Sequence, residues 1–260
     1  MNALSPLLAA AALAGGALLH QKTDDFAWRG SVAAGKTIEL VGVNGSIDAS
    51  GTSGSEVQVT ATKEGRKSDP REVEIRVVEH AGGVTICAVY PSSRRGEEND
   101  CQPGGRGRSN TRNNDVEVEW TVRVPQGVRL VGRTVNGDVV ARGLTAAVEV
   151  YTVNGDITVE TTSWAQASTV NGSIGARIGA TLWDGDAEFD TVNGRITVDL
   201  PRDASFEVHA STVNGSMSTD FPLTVRGKWG PKRMSGTVGG GGRSLSLSTV
   251  NGDMALRRAR

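Results

Sequence analysis

The sequence contains few aromatic residues, although it is rich in glycine. Phe, Tyr and Trp make up 4% of the 260 residues, whereas glycine occurs 34 times, about twice its usual share of roughly 7%. These shares indicate many turns and thin layers, and they argue against a large helical domain. The length predicts one to two domains with enough chain to bury a core.

A strong net charge is also missing. Lys and Arg number 28 and Asp and Glu number 29, giving a net charge of −1, so the molecule as a whole has no field that attracts nucleic acid. The charges are unevenly distributed, because residues 226–260 carry eight basic residues and one acid. The sequence thus predicts an acidic body with a basic end and no specific nucleic-acid partner.

No apolar run is long enough to cross a membrane. The run from Leu7 to Leu19 has 13 residues, whereas a transmembrane helix needs about 20. Its length and the small residues Gly15, Gly16 and Ala17 are typical of a signal peptide, although no Lys or Arg precedes it. We predict a signal peptide at 1–20, export to the periplasm, cell surface or medium, and no transmembrane span in the mature chain. A buried N-terminal helix is the alternative.

Cysteine occurs only twice, at Cys87 and Cys101. In an exported chain, two cysteines so close in sequence are normally oxidised. The disulfide would close a 15-residue loop and stabilise the fold by about 3 kcal/mol on a chain-entropy estimate. The spacing differs from the Cys-x-x-Cys of redox-active pairs, so we predict a structural staple.

A motif of Thr-Val-Asn-Gly, a variable residue and an apolar residue recurs six times. Its asparagines are 18, 17, 22, 21 and 37 residues apart, and we interpret the last interval as two turns with one motif missing. A degenerate seventh copy spans residues 43–47. Strand-rich repeats of about 20 residues stack into a β-solenoid, because each is too small to bury its own apolar face. The predicted fold is all-β, a β-solenoid of stacked Thr-Val-Asn-Gly turns preceded by a strand-rich N-terminal section.

Alternation along the strands predicts which motif side chains face the core. Phe189 and Thr191 share their parity with Asn193, and Ile196 resumes it after the turn. Thr and Asn should therefore point inward, where identical residues about 4.8 Å apart can hydrogen-bond as ladders, while Gly supplies a bend with positive φ. The predicted structural ladder comprises Thr134, Asn136, Gly137, Thr152, Asn154, Gly155, Thr169, Asn171, Gly172, Thr191, Asn193, Gly194, Thr212, Asn214, Gly215, Thr249, Asn251 and Gly252.

Two outward features are candidate contact surfaces. The motif valines point outward, and contiguous apolar surface often marks a contact; another segment of this chain is the favoured cover, and a partner or glycan is the alternative. A basic loop around residue 229 could grip an anionic polymer or be simply solvated. The candidate contact residues are Val135, Val153, Val170, Val192, Val213, Val250, Lys228, Trp229, Lys232 and Arg233.

The rest of the chain divides around the repeats. Residues 26–125 alternate strongly and predict half-buried strands, with a polar loop at 91–114 that the disulfide holds at its base. The solenoid repeats occupy 126–257. An insertion at 221–242, with two prolines and four successive glycines, takes the place of the missing motif.

The repeats, the opening segment Gly35-Lys-Thr-Ile-Glu-Leu-Val-Gly-Val-Asn-Gly-Ser-Ile and the glycine-rich stretch before Thr249 together resemble a bacterial β-strand-repeat family whose members are named as adhesins. The similarity covers residues 26 to 257. The resemblance implies the β-solenoid architecture of exported or envelope proteins. It is a much weaker guide to the activity. It brings no catalytic residues to carry over.

No pattern in the sequence favours a catalytic or cofactor-binding site. Gly30 to Thr37 matches the phosphate-binding P-loop letter for letter, but the following residues alternate like a strand instead of starting a helix. The three histidines lie far apart, which disfavours a metal site. The four acids from Asp184 to Asp190 alternate with apolar residues, as a solvated face does. We predict no enzyme activity, no metal and no cofactor.

The leading hypothesis is a non-enzymatic exported protein of the cell envelope, acting as an adhesin or surface-interaction module. Its ligand would be an unknown surface partner such as a glycan or envelope polymer. The first alternative is a structural scaffold that self-associates end to end, because a terminal solenoid turn exposes unpaired strand edges. The second is a polysaccharide-active enzyme that gathers acids from separate turns.

Overall fold

The computed structural model describes residues 22–94, 96–227 and 231–259, and the predicted signal peptide at 1–20 lies outside them. Apart from two 3-10 helices, at Pro70–Glu72 and Pro103–Gly105, the regular structure of these residues is strand, so the all-β prediction is confirmed. No helix among them is long and apolar enough to span a membrane. The strands are β1 (Lys22–Gly30), β2 (Thr37–Val41), β3 (Ile47–Thr52), β4 (Val57–Gly65), β5 (Glu74–His80), β6 (Gly83–Val89), β7 (Glu117–Pro125), β8 (Arg129–Arg133), β9 (Val139–Leu144), β10 (Val148–Tyr151), β11 (Ile157–Thr161), β12 (Ala165–Asn171), β13 (Ile174–Ile178), β14 (Ala187–Asn193), β15 (Ile196–Leu200), β16 (Phe206–Asn214), β17 (Met217–Thr219), β18 (Val225–Arg226), β19 (Lys232–Val238), β20 (Ser244–Asn251) and β21 (Met254–Arg258).

The strands assemble into two large sheets. Sheet A has the order β1-β4-β7-β3-β9-β11-β13-β15-β21-β17, and sheet B has the order β5-β6-β2-β8-β10-β12-β14-β20-β16-β19-β18. A rung is one sheet B strand, the Asn-Gly turn after it and the sheet A strand that follows. Neighbouring rungs pair in parallel, as β10 does with β12 and β11 with β13. We call the end with β1 and β5 proximal and the end with β17 and β18 distal.

The seven rungs stack in an order that departs from chain order. From the proximal end they are β2/β3, β8/β9, β10/β11, β12/β13, β14/β15, β20/β21 and β16/β17. The last rung of the chain thus lies between its two predecessors: Leu247 of β20 pairs with Phe189 of β14 on one side and with Ala210 of β16 on the other.

This order corrects the interpretation of the 37-residue interval as a skipped motif in a sequential stack. The insertion at 221–242 does not take the place of a rung. It forms β18 and β19 on the distal side of β16, and β19 runs antiparallel to β16. The reversal of direction lets β20 run parallel to β16 along its other edge.

The N-terminal strands belong to the same two sheets. β7 and β6 continue the parallel pairing on β3 and β2, and the antiparallel strands β4, β1 and β5 follow them outward. The edge strand β1 carries Asp24, Asp25 and Arg29. Asp24 forms a 2.5 Å ion pair with Lys63, whose side chain is buried and also donates to the Val73 carbonyl oxygen. Charges at an edge strand oppose pairing with a second copy, which counts against end-to-end assembly at this end.

Alternation along each strand builds one shared core. In β14, Ala187, Phe189 and Thr191 are buried while Glu188 is exposed. Buried side chains form a single hydrophobic cluster through both sheets, made mostly of Val, Ile, Leu and Ala. These modest side chains suit two sheets that face each other across a thin layer, which explains the low aromatic content.

The segment that matches the P-loop pattern joins β1 to β2. Thr37 begins a strand, as the alternation predicted, and the Lys36 ammonium donates to the Ala81 carbonyl oxygen at 2.6 Å. The helix N-terminus that a phosphate-binding loop requires is not formed here.

Candidate functional site

At each turn, a buried threonine hydroxyl bonds to the neighbouring rung. The motif threonines are 1–6% exposed, and each Oγ1 donates to the carbonyl oxygen of the motif glycine one rung nearer the proximal end. The pairs are Thr134–Gly45 at 2.9 Å, Thr152–Gly137 at 3.0 Å, Thr169–Gly155 at 3.0 Å, Thr191–Gly172 at 2.9 Å, Thr249–Gly194 at 3.2 Å and Thr212–Gly252 at 3.1 Å. The threonines therefore point inward, but they bond to glycine carbonyls and not to one another as the ladder prediction stated.

The motif positions require glycine mainly because the neighbouring rung leaves no space for a side chain. Gly45 and Gly137 have positive φ. At the five other positions, a Cβ would lie only 1.8–2.1 Å from the carbonyl oxygen of the neighbouring motif glycine; these are Gly155, Gly172, Gly194, Gly215 and Gly252. The predicted positive φ is wrong for these five, where the close approach of successive rungs excludes any side chain.

The motif asparagines form a ladder on the surface. Each Nδ2 donates to the Oδ1 of the next asparagine toward the proximal end at 2.8–2.9 Å, in the order Asn214, Asn251, Asn193, Asn171, Asn154, Asn136 and Asn44. The first six of these are exposed, so the predicted inward orientation of the asparagines is wrong. Strict alternation holds only along a straight strand, whereas the chain turns a corner here and the valine and asparagine both face outward.

Each of the two hydrogen-bond series is capped at one end, the asparagine ladder at the proximal end and the threonine–glycine series at the distal end. At the proximal end, Asn44 Nδ2 donates to the Val116 carbonyl oxygen at 3.4 Å. At the distal end, the Lys232 ammonium donates to the Gly215 carbonyl oxygen, taking the place of a threonine from a further rung. Lys232 was predicted as a contact residue, but its half-buried side chain binds the last rung of the stack. Arg233 is exposed, and Lys228 and Trp229 lie outside the described residues.

The motif valines form a continuous exposed line, which we call the valine column. In stack order it comprises Val135, Val153, Val170, Val192, Val250 and Val213, and each is 37–44% exposed. Rungs lie about 4.8 Å apart, so the column is about 24 Å long. Within the described part of the chain, no segment covers these residues, and the expectation that the chain itself does so is wrong. Only Val43, one rung further, is half-buried, beside a cavity of about 30 Å³ under the disulfide loop.

The disulfide between Cys87 and Cys101 fastens this loop against the outer face of sheet B, with Cα atoms 5.7 Å apart. Glu39 holds the loop from below, since its carboxylate accepts from the Gly104 N–H at 2.7 Å and from Thr85 Oγ1 at 2.9 Å. Sequence reasoning missed Glu39, because it occupies an outward position of an alternating strand. Nothing in that pattern shows that a distant loop covers it.

Arg133 completes this cluster. Its Nε donates to the buried Glu39 carboxylate at 3.2 Å, and its guanidinium lies 4.3 Å from the centroid of the Tyr151 ring. Burying Glu39 without such partners would be costly. The cluster therefore ties the loop to the second and third rungs.

Beyond the loop, the outer face of sheet B is open and polar. Two rows of side chains cross it from β12 to β16: Gln166, Glu188, Ser246 and His209 in one, and Ser168, Asp190, Ser248 and Ser211 in the other. Partial burial, and then the neighbouring Glu188 carboxylate, raise the pKa of Asp190 to about 6. The described residues hold no group of three or more His, Cys, Asp or Glu side chains placed to bind a metal ion.

Replacing Asp190 by asparagine should stabilise the protein at neutral pH. Because the folded-state pKa exceeds the ordinary value of 3.8, ionisation of Asp190 opposes folding: its penalty grows as pH rises from 3.8 to about 6 and persists at pH 7. We expect Asp190→Asn to raise the free energy of unfolding by about 1 kcal/mol at neutral pH, after discounting for solvent screening. Urea unfolding measures this.

The gain should disappear in acid below the ordinary aspartate pKa, where Asp190 is protonated in both states. Asp186→Asn, at an exposed position on the same face, is the control and should change stability little. A gain from Asp190→Asn of the same size in acid and at neutral pH would contradict this account.

The fold and the stacked turns define a class, the all-β proteins built from stacked strand-turn-strand repeats. Residues 112–257 match the Toastrack family DUF4097. Because this match covers more than half of the chain, the protein belongs to that family.

Solved structures resemble this chain to different degrees. A "putative cell adhesion protein" from Clostridium sporogenes matches with a TM-score of 0.51 at 14% sequence identity, covering 92% of this chain and 100% of the other. A "putative adhesin" from Bacteroides fragilis matches with a TM-score of 0.38 at 12% identity, covering 91% and 97%. No functionally curated protein matches the sequence. At 14% identity, the similarity to the Clostridium sporogenes protein is one of fold and not of binding specificity.

Proposed function

We propose that this protein is a non-enzymatic, exported module of the cell envelope that binds a surface partner, as an adhesin does. The disulfide suits an oxidising compartment, and the Clostridium sporogenes protein of the same fold is named for cell adhesion. The observation that carries the proposal is the valine column, an unbroken line of exposed apolar side chains. Contiguous apolar surface on a soluble protein marks contact sites.

The column is rigid, because its backbone is held on both sides. Val153 N–H donates to the Val135 carbonyl oxygen, and Val170 N–H to that of Val153, both at 3.2 Å. The threonine bonds lie beneath the column and the asparagine ladder lies beside it. A surface already ordered in this way loses little entropy on binding.

An extended, uncharged polymer such as a glycan chain matches this surface. An interior asparagine amide uses one N–H and one acceptor site in the ladder, which leaves one further N–H and one lone pair for an outside partner. A line of amides therefore runs parallel to a line of valines. A sugar chain, with apolar ring faces and hydroxyl edges, can contact both lines at once.

The proposal predicts that polar substitutions in the column weaken polymer binding. A triple variant, Val153→Thr, Val170→Thr and Val192→Thr, keeps residues that favour strands while removing three exposed methyl groups. We expect binding to isolated envelope polysaccharide, measured by co-sedimentation, to weaken about tenfold, since each methyl contributes less than the ~0.8 kcal/mol of a fully buried group.

Val140→Thr provides the matched control, because Val140 is half-buried on the outer face of sheet A and should leave binding unchanged. Undiminished binding by the triple variant would contradict the role of the column. Release of reducing sugars, or recovery of the protein from the cytoplasm, would contradict the non-enzymatic and exported character.

A further inference from the structure

Seven Asn-Gly steps lie along one edge of the stack, and Asn-Gly is the dipeptide most prone to deamidation. In this reaction the glycine nitrogen gives its proton to hydroxide and attacks the asparagine Cγ. The new N–Cγ bond replaces the Cγ–Nδ2 bond, and Nδ2 leaves as ammonia after taking a proton from water. A second water molecule then opens the succinimide ring to aspartate or isoaspartate. The attack requires a glycine N–H that is free to react.

Six of the seven steps have this nitrogen engaged. Each motif glycine N–H donates to the carbonyl oxygen of the asparagine one rung nearer the distal end, at 2.8–3.0 Å. The pairs are Gly45–Asn136, Gly137–Asn154, Gly155–Asn171, Gly172–Asn193, Gly194–Asn251 and Gly252–Asn214. In these six steps the Oδ1 of the asparagine that precedes the glycine also accepts from the next Nδ2 of the ladder; these asparagines are Asn44, Asn136, Asn154, Asn171, Asn193 and Asn251. In these six steps both reacting groups are therefore engaged in hydrogen bonds in the folded chain.

The distal rung is different, because no further rung stacks on its turn. Within residues 22–94, 96–227 and 231–259, the Gly215 N–H has no acceptor and Asn214 Oδ1 has no donor. The neighbouring strand β19 runs antiparallel, and in this turn the Lys232 ammonium binds the Gly215 carbonyl oxygen and not the Gly215 N–H. We propose that Asn214 is the deamidation site of the folded protein, and that the six interior steps are protected.

The modification places a carboxylate at the distal end of the asparagine ladder. Isoaspartate also lengthens the backbone by one methylene in the turn whose Gly215 carbonyl binds the Lys232 ammonium. The six asparagines beneath it keep their amides, so the reaction marks one end of the stack.

The chain contains a matched internal control. Asn171 and Asn214 sit in the same heptapeptide, Ala-Ser-Thr-Val-Asn-Gly-Ser, at residues 167–173 and 210–216. Their intrinsic reactivity is therefore the same. Only their positions differ: Asn171 lies inside the stack, with Gly172 N–H bonded to the Asn193 carbonyl oxygen at 3.0 Å.

The test compares the two sites in the folded and unfolded chain. The purified full-length protein is held at mildly alkaline pH and body temperature, with and without concentrated urea, and is then digested with trypsin. The two sites fall in different peptides, 143–177 and 203–226, whose conversion is followed by mass spectrometry. Fragment ions separate Asn171 from Asn154.

We expect equal rates in urea and, in the folded protein, conversion of Asn214 at least about tenfold faster than that of Asn171, because a bonded site reacts only through local opening. Amide hydrogen exchange should likewise be faster at Gly215 than at Gly172. Equal conversion of the two sites in the folded protein, or comparable exchange of the two glycine amides, would overturn the proposal.

Discussion

Gly194→Ala is expected to lower the free energy of unfolding by about 3 to 5 kcal/mol, from steric overpacking and lost hydrogen bonds between rungs. A Cβ at this position would lie 1.9 Å from the Gly172 carbonyl oxygen and 2.5 Å from its carbon. Both are backbone atoms, so no side chain can rotate away. The two rungs must separate, which strains the bonds from Thr191 Oγ1 to the Gly172 carbonyl oxygen and from Gly172 N–H to the Asn193 carbonyl oxygen.

Gly240→Ala is the control for this prediction, because a Cβ at Gly240 meets no atom within 4 Å. Its effect should stay within about 0.5 kcal/mol, as at an ordinary surface site. Urea unfolding followed by circular dichroism compares both variants with the wild type. If Gly194→Ala lowered the free energy of unfolding by less than about 1 kcal/mol, the rungs could separate at little energetic cost, contrary to the packing described above.

Removing the disulfide is expected to cost about 3 kcal/mol of stability, the chain-entropy estimate for a loop of this size. The two cysteines are 14 residues apart, and the loop they close lies on Glu39. The double variant Cys87→Ser/Cys101→Ser releases the loop in the unfolded chain and weakens its hold on the outer face of sheet B.

A reducing agent provides the internal check on this result. The wild type should lose stability on reduction by about the amount that the double variant loses, while the double variant itself should not respond to reductant. Glu39→Gln reports on the contacts under the loop, because the amide keeps an acceptor for the Gly104 N–H but loses its charge toward Arg133. Equal urea midpoints for oxidised and reduced wild type would contradict a stabilising role for the bridge.

Alternation with a period of two residues predicted several local features correctly. Phe189 and Thr191 face the core, the motif valines face outward, and residues 37–41 form a strand. Each of these follows from alternation within one straight strand, which short-range sterics control. The same rule failed at Asn193, because the strand bends into the turn there and parity no longer tells inside from outside.

Long-range partners account for the other differences. Lys232 lies in a basic run typical of a solvated loop, yet its ammonium binds the last glycine carbonyl of the stack. Glu39 occupies an outward position in an alternating strand, yet it is 4% exposed beneath the disulfide loop. Neither partner lies near in sequence, so no local pattern indicates the contact.

The amino-acid pattern was sufficient for the all-β class, the repeat, the inward set of apolar residues and threonines, and the outward valines, because these depend on neighbours along one strand. The tertiary structure alone decided the order of the rungs, with β20 between β14 and β16. Near-identical motifs offer each other near-identical edges, so local sequence cannot choose between neighbours. The antiparallel return through β19 makes the choice, since it brings β20 back along the free edge of β16.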